Sequence, residues 1–270
     1  MSGAFLDTTL LVHLAEPSNI DGQKATEFVD ANQPAQAPYY ALRELLTGRV
    51  RLLCEAHNSL LSASNPAEAM LILFRRSPAE GRKKEARLQA LASIMNDAFS
   101  EKPSGDRKEI KREMLDALAL QAAQLWLRAH KLKKVECVQS LACFNDGGLS
   151  YGSAGELRGP SDSFNCKESE RCSAAAYLFD DQAALAKLVD ALRPEKLGSG
   201  LGAKQENVQR RRALKELFQK GPSQFNKRLC RALGDAYFAV MCPAGSFVAT
   251  TNLSDHDPLC NALGKQAKSP

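Results

Sequence analysis

The chain has 270 residues, 44% of them hydrophobic and 25% charged, with a formal net charge of +5. That is ordinary for a globular protein, long enough for one large domain or two modest ones. No apolar run nears the ~20 residues of a membrane span. The short N-terminal apolar run lacks a preceding basic region and is interrupted by Asp7, so the expected location is cytoplasmic. The mild positive charge admits a polyanionic partner without establishing one.

Taken in chain order, residues 1–56 read as α/β. Ala4 to Leu6 is a candidate strand ending on Asp7. Thr8 or Thr9 can cap the helix that follows, with Leu10, Leu11 and Leu14 on its apolar face. Gln23 to Ala31 reads as a second helix. Pro34 and Pro38 mark a break, Ala37 to Tyr40 reads as a second strand, and Leu42 to Val50 as a helix start carrying Glu44.

Residues 57–224 have a different texture. Pro66 to Phe74, Lys83 to Phe99 and the periodic stretch Asp106 to Leu132 read as helices. Asn145 to Pro160 is rich in glycine and serine and reads as a loop or lid. Ala183 to Leu192 and the basic stretch Gln205 to Phe218 read as helices. Residues 225–270 return to α/β texture, with a helix over Phe225 to Met241 holding Asp235. A strand follows over Phe247 to Thr250, then a loop to Asp255 and a closing helix over Asp257 to Leu263.

The candidate site lies in the two ends. Ligands gather beyond the carboxyl ends of parallel strands in open α/β sheets. Asp7 and Asp255 follow strands there, while Glu44 and Asp235 sit in helices among apolar residues. Four carboxylates at one edge repel unless a cation is present. Hard oxygen ligands suit Mg²⁺ or Mn²⁺, which activate water and stabilise in-line phosphodiester displacement. Taken singly, each has a plainer reading. Asp7 could be a helix N-cap, Glu44 a solvated helix residue, Asp235 a buried polar group bonded to backbone, and Asp255 a cap. Their shared order favours the joint reading.

Four segments carry a family resemblance: Phe5-Leu6-Asp7-Thr8, Leu42-Arg43-Glu44-Leu45, Gly234-Asp235-Ala236, and Thr250-Thr251-Asn252 followed by Asp255. Together they resemble the PIN-domain ribonucleases, in order and local setting. The resemblance covers about 1–56 and 225–270. It implies a PIN-like parallel sheet flanked by helices, built from both termini, with 57–224 as a large, mainly helical insertion. It further implies that Asp7, Glu44, Asp235 and Asp255 bind Mg²⁺ or Mn²⁺ and cut RNA. Thr251 or Asn252 would position water, phosphate or a neighbouring carboxylate. Members of the family are often toxins of toxin–antitoxin pairs, so an antitoxin or another regulatory protein is an implied partner. The sequence departs from the family in the long segment between Glu44 and Asp235. It departs again in carrying His256 and Asp257 after Asp255, which leaves Asp257 as an alternative inward group.

Basic runs lie on or beside the expected helices. Arg210-Arg211-Arg212 with Lys215, and Lys227-Arg228 with Arg231, lead toward Asp235. Arg211, Arg212, Lys227, Arg228 and Arg231 are therefore the expected substrate contacts, against the plainer reading of a solvated helix face. Cys137 and Cys143, and Cys166 and Cys172, each have five residues between them and flank the glycine-rich loop. A structural Zn²⁺ site is one reading, but the gap is wider than in common zinc motifs, so reduced cysteines are favoured. Gly198 to Lys204 lacks the Ser or Thr and the preceding strand of a phosphate loop. The four histidines show no metal-ligand spacing, and His256 reads as a surface or supporting residue. The competing functional readings are a silent PIN-like scaffold binding RNA or protein, and a nuclease acting on structured DNA.

Overall fold

A computed structural model of the chain describes residues 3–16, 20–76, 89, 92–93, 106–132, 134–138, 148–159, 172–201, 205–224 and 227–270. Its strands are β1 (Ala4–Leu6), β2 (Ala35–Pro38), β3 (Val135–Val138), β4 (Ser150–Tyr151), β5 (Leu157–Arg158), β6 (Phe247–Ala249) and β7 (Ala267–Lys268). Five of these form a sheet in the order β3-β2-β1-β6-β7, with every neighbouring pair parallel. β4 and β5 form a separate antiparallel pair. All residues of β1 and β6 are buried. A parallel strand covered on both faces needs a continuous apolar run rather than an alternating one, and Ala4-Phe5-Leu6 and Phe247-Val248-Ala249 supply it.

The chain divides into two compact units. The first comprises 1–44, 132–145 and 164–270, and holds the five-stranded sheet. It opens with helices α1 (Thr8–Ala15), α2 (Ile20–Ala31) and α3 (Tyr39–Leu45), the last residue of which begins the second unit. Pro38 ends β2 two residues earlier than the sequence suggests, because Tyr39 and Tyr40 are drawn into α3. Tyr40 is fully buried there, with its ring 5.3 Å from that of Tyr237 and 5.9 Å from that of Phe238. Aromatic packing outweighs the strand preference of tyrosine.

The second unit comprises 45–131 and 146–163. A π turn (Leu46–Val50) leads into α4 (Arg51–Ser62), followed by α5 (Pro66–Arg76), α6 (Arg107–His130) and the β4–β5 hairpin. Asn58 ties α4 to the hairpin by donating to the Leu157 carbonyl at 2.9 Å and accepting from the Leu157 N–H at 2.7 Å. The part of the glycine-rich stretch within the described residues thus forms a hairpin. Gly155, at φ +82°, occupies the left-handed position of its turn.

The first unit continues through α7 (Ser173–Asp180), α8 (Gln182–Ala191), α9 (Pro194–Leu201), α10 (Gln205–Lys220), α11 (Lys227–Ala232), α12 (Gly234–Met241) and α13 (Leu253–Ala262). The segment 57–224, expected as a helical insertion, therefore also supplies β3 and four helices of the sheet-bearing unit. The helix expected over Lys83 to Phe99 lies largely outside the described residues. Among the described residues no helix is long and apolar enough to cross a membrane.

Candidate active site

The strand order sets the location. From β1 the chain proceeds outward to β2 and β3 on one side, then returns to β6 and β7 on the other. The order reverses between β1 and β6, and in open α/β sheets ligands bind beyond the carboxyl ends of the strands at such a point. The residue after β1 is Asp7 and the residue after β6 is Thr250.

Asp7 divides its two oxygens. Oδ1 caps α1, accepting from the Leu10 N–H at 3.1 Å and the Thr9 hydroxyl at 2.7 Å. Oδ2 accepts from the Thr250 hydroxyl at 2.6 Å and lies 3.3 Å from Nε2 of His256. The plain reading as an N-cap and the reading as a site residue thus describe different oxygens of one side chain. Burial alone would raise the Asp7 carboxyl, but the bond and charge of His256, with Thr250 and Thr9, hold it below the usual carboxylate range. Burial likewise works against a protonated His256, while Asp7 and Asp235 together keep its imidazole above the usual value.

Glu44 comes from α3. The residue is half-buried, and its carboxylate accepts from the Thr8 hydroxyl at 2.5 Å. Desolvation raises it to about 7, against the Thr8 bond. The charge of Asp235 adds to the rise, the Arg43 guanidinium opposes it, and Asp7 adds again. Arg43 itself is buried, with Nη1 3.7 Å from Sγ of Cys230.

Asp235 stands in the first turn of α12, with Oδ1 3.6 Å from Nε2 of His256. Its other oxygen is paired with the guanidinium of Arg210 on α10. Arg210 is buried, donates from Nη1 to Oδ1 of Asn207 at 2.6 Å, and lies 4.0 Å from Oδ2 of Asp255. Asp255 is held by the Asn252 side-chain amide at 2.6 Å. Asp257 faces elsewhere, onto a groove of about 530 Å³ lined also by Lys187, Asp190 and Lys196. Of the two alternatives, Asp255 is the one directed at the cluster.

Asp7, Glu44, Asp235 and Asp255 are therefore gathered in one electrostatic neighbourhood. Thr250, Thr8 and Asn252 orient three of them. Asn252 acts on a carboxylate, and Thr251 contributes its backbone N–H, donated to the Thr9 hydroxyl at 3.2 Å. Among the described residues no group of three or more acidic, histidine or cysteine side chains is drawn close enough together to hold a metal ion as they stand. Arg210 and His256 share their partners instead. Even so, the donor chemistry fits a hard divalent ion. The donors are carboxylate oxygens, already oriented by hydroxyl and amide bonds. Arg210 and Arg43 are fixed cations beside the four acids, and two guanidinium charges do not balance four carboxylates when all are ionised.

Arg212 and Arg231 are exposed and Arg211 is half-buried. Lys227 and Arg228 open α11, with side chains outside the described set. Cys143 and Cys166 also lie outside it. Cys137 is half-buried on β3, and Cys172 donates a hydrogen bond to Cys230. That bond and the charge of Arg43 outweigh burial and hold the Cys230 thiol down at about 6.

Arg210 was not among the expected site residues, and His256 was read, beside Asp255, as a surface or supporting residue. Arg210 hid in a basic run, yet it is buried along one face of α10 with Asn207, Leu214 and Leu217. That is the spacing of an inward stripe. His256 was obscured because α13 starts at Leu253, four residues before the expected helix. The earlier start puts His256 on the face of Leu259 and Cys260, all three buried. Comparisons with family models, with curated proteins and with solved structures gave no significant match.

Proposed function

We propose that the protein is a metal-dependent endonuclease, acting on single-stranded or structured RNA through Mg²⁺ or Mn²⁺ held by Asp7, Glu44, Asp235 and Asp255. The observation that carries this reading is the gathering of Asp7, Asp235 and Asp255 around His256 and Arg210, with the charges of Asp235 and Asp7 felt by Glu44, at the point where the strand order of a parallel sheet reverses. The PIN-domain resemblance of the same residues supports it, as does their order in the chain.

A divalent ion at such a site supplies Lewis-acid polarisation of a phosphodiester and a lowered pKa for water. The chain's own residues supply orientation. Thr250 and His256 fix Oδ2 of Asp7, Thr8 fixes Glu44, and Asn252 fixes Asp255. Arg211, Arg212, Lys227, Arg228 and Arg231 are the proposed contacts to the phosphate backbone. A toxin or phage-defence role, with an antitoxin or another protein as regulator, is the biological setting this reading suggests.

The reading is tested by incubating labelled single-stranded RNA, single-stranded DNA and flap DNA with the protein and Mn²⁺ or Mg²⁺. RNA is cleaved by the wild type, and cleavage falls at least on the order of 100-fold in Asp7→Asn and Asp235→Asn. Equal activity in both variants contradicts the site. Preferential cutting of the flap moves the substrate to DNA. The second reading, a catalytically silent scaffold, draws on the Arg210–Asp235 pair, since a permanent pair would leave Asp235 unavailable to a metal. It predicts RNA binding without cleavage under every metal condition.

A further inference from the structure

We infer that Arg210 is a built-in competitor of the divalent ion: its guanidinium pairs with Asp235 and thereby sets how tightly the site takes a metal. The inference rests on the metal-site reading above and assigns to that site a determinant of its affinity.

Arg210 is unlike the other basic residues near the site. Its side chain is only 6% exposed, whereas Arg212 and Arg231 are exposed on the surface. It sits on the inward stripe of a 16-residue helix, between Asn207 and Leu214. The Asn207 amide oxygen accepts from Nη1, while Nη2 is committed to Asp235 and reaches toward Asp255. A guanidinium stays charged at any ordinary pH and makes a directional fork. It therefore cannot vacate the site by losing a proton. A divalent ion that takes Asp235 must displace it or share the carboxylate with it.

The cost of that exchange falls on metal binding. A buried guanidinium deprived of its carboxylate is an unpaired charge, unfavourable in a site with few other acceptors. Asp255 is the nearest alternative partner, 4.0 Å away. The arrangement makes Asp235 the contested ligand and Asp255 the receiving one. His256 shows a milder form of the same device, since its Nε2 is shared between Asp7 and Asp235 while its buried Nδ1 has no hydrogen-bond partner among the described residues. Arg210 is thus a positioning residue that acts on the metal through Asp235.

The test is calorimetric titration of Mn²⁺ into wild type, Arg210→Gln, Arg210→Lys and Asp235→Asn, with a thermal melt of each protein. Removing the competitor tightens Mn²⁺ binding by roughly tenfold or more in Arg210→Gln, and by a smaller factor in Arg210→Lys, which keeps charge but loses the fork. A purely structural role for Arg210 has the opposite sign, because a loosened site binds metal more weakly. If Arg210→Gln does not fold, Arg210→Lys decides alone: tighter binding supports the inference, and equal or weaker binding overturns it. Asp235→Asn separates the two levels. Lost Mn²⁺ binding there, with no tightening in the Arg210 variants, overturns only the role of Arg210. Unchanged Mn²⁺ binding in Asp235→Asn overturns the metal-site reading itself.

Discussion

Glu44 carries the clearest tension in the molecule. A half-buried acid facing Asp235 and Asp7, it is held near 7, well above its ordinary range. The metal-free folded state therefore binds a proton that the unfolded chain gives up near the ordinary value of 4.5. Stability falls as pH rises from about 4.5 through about 7, and above that the full cost is present. That cost is on the order of 3 kcal/mol, reduced by solvent screening of a half-buried residue. Glu44→Gln is accordingly expected to melt above wild type at pH 8 in EDTA. The difference vanishes below about pH 4.5, where the glutamate is neutral in both states. A variant less stable than wild type at pH 8 contradicts the assigned environment. Asp7 makes the complementary case. Asn at this position still caps α1 through its side-chain oxygen, so Asp7→Asn is expected to fold normally while losing activity. Asp7→Ala also forfeits about 1 kcal/mol of capping, readable in urea denaturation. Thr250→Val leaves the sheet intact but frees Oδ2 of Asp7, with an expected loss of roughly 10- to 100-fold in cleavage rate. At this scale Asp7, Glu44, Asp235 and Asp255 were legible because a carboxylate among apolar residues is conspicuous. Thr8 and Thr250 were not, because hydroxyls that orient another group leave no pattern in sequence.

Between elements, the spacing of Glu44 and Asp235 depends on how closely α3 approaches α12. Gly234 sits against the Tyr40 ring, and a Cβ there would lie 3.1 Å from both Cε1 and the hydroxyl oxygen of Tyr40. Tyr40 is one turn before Glu44, and Gly234 immediately precedes Asp235, so the contact couples the two acids. Gly234→Ala is expected to cost about 1–3 kcal/mol through overpacking and to depress activity beyond what stability explains. Thermal melts and cleavage rates measured below the melting range separate the two effects. Lys265 fixes the other end of α12 by donating to the carbonyls of Ala239, Val240 and Cys242, satisfying acceptors that a helix end leaves open. Helix starts were the least legible feature. The closing helix was expected from Asp257, but α13 starts at Leu253, which buries His256 together with Leu259 and Cys260. The face of α10 could have been found by following Leu214 and Leu217 back to Arg210, a step that the surrounding arginines concealed.

At the scale of the whole molecule, the parallel sheet with flanking helices was legible from the two apolar strands at the chain's ends. The third strand was not. Val135-Glu136-Cys137-Val138 is short, lies at the sheet's edge with no fully buried residue, and follows a lysine-rich stretch. An edge strand needs only one apolar neighbour, so its signal is weak. The division between units also escaped the sequence, because the sheet-bearing unit draws on three separate stretches of chain. Basic residues predominate modestly over acidic ones, 36 against 31. RNA binding through them is expected to weaken steeply between 50 and 200 mM salt, with a slope set by the number of phosphates contacted. Replacing both Arg211 and Arg212 with Gln should flatten that slope by about one to two units; an unchanged slope removes those residues from the interface. The central claim is the location of the metal. Anomalous diffraction from crystals soaked in Mn²⁺ tests it most directly. The account predicts a peak beyond the carboxyl ends of β1 and β6, within about 2.0–2.4 Å of oxygens from Asp235 and at least one of Asp7, Glu44 and Asp255. A saturating soak with no peak among these four carboxylates contradicts it.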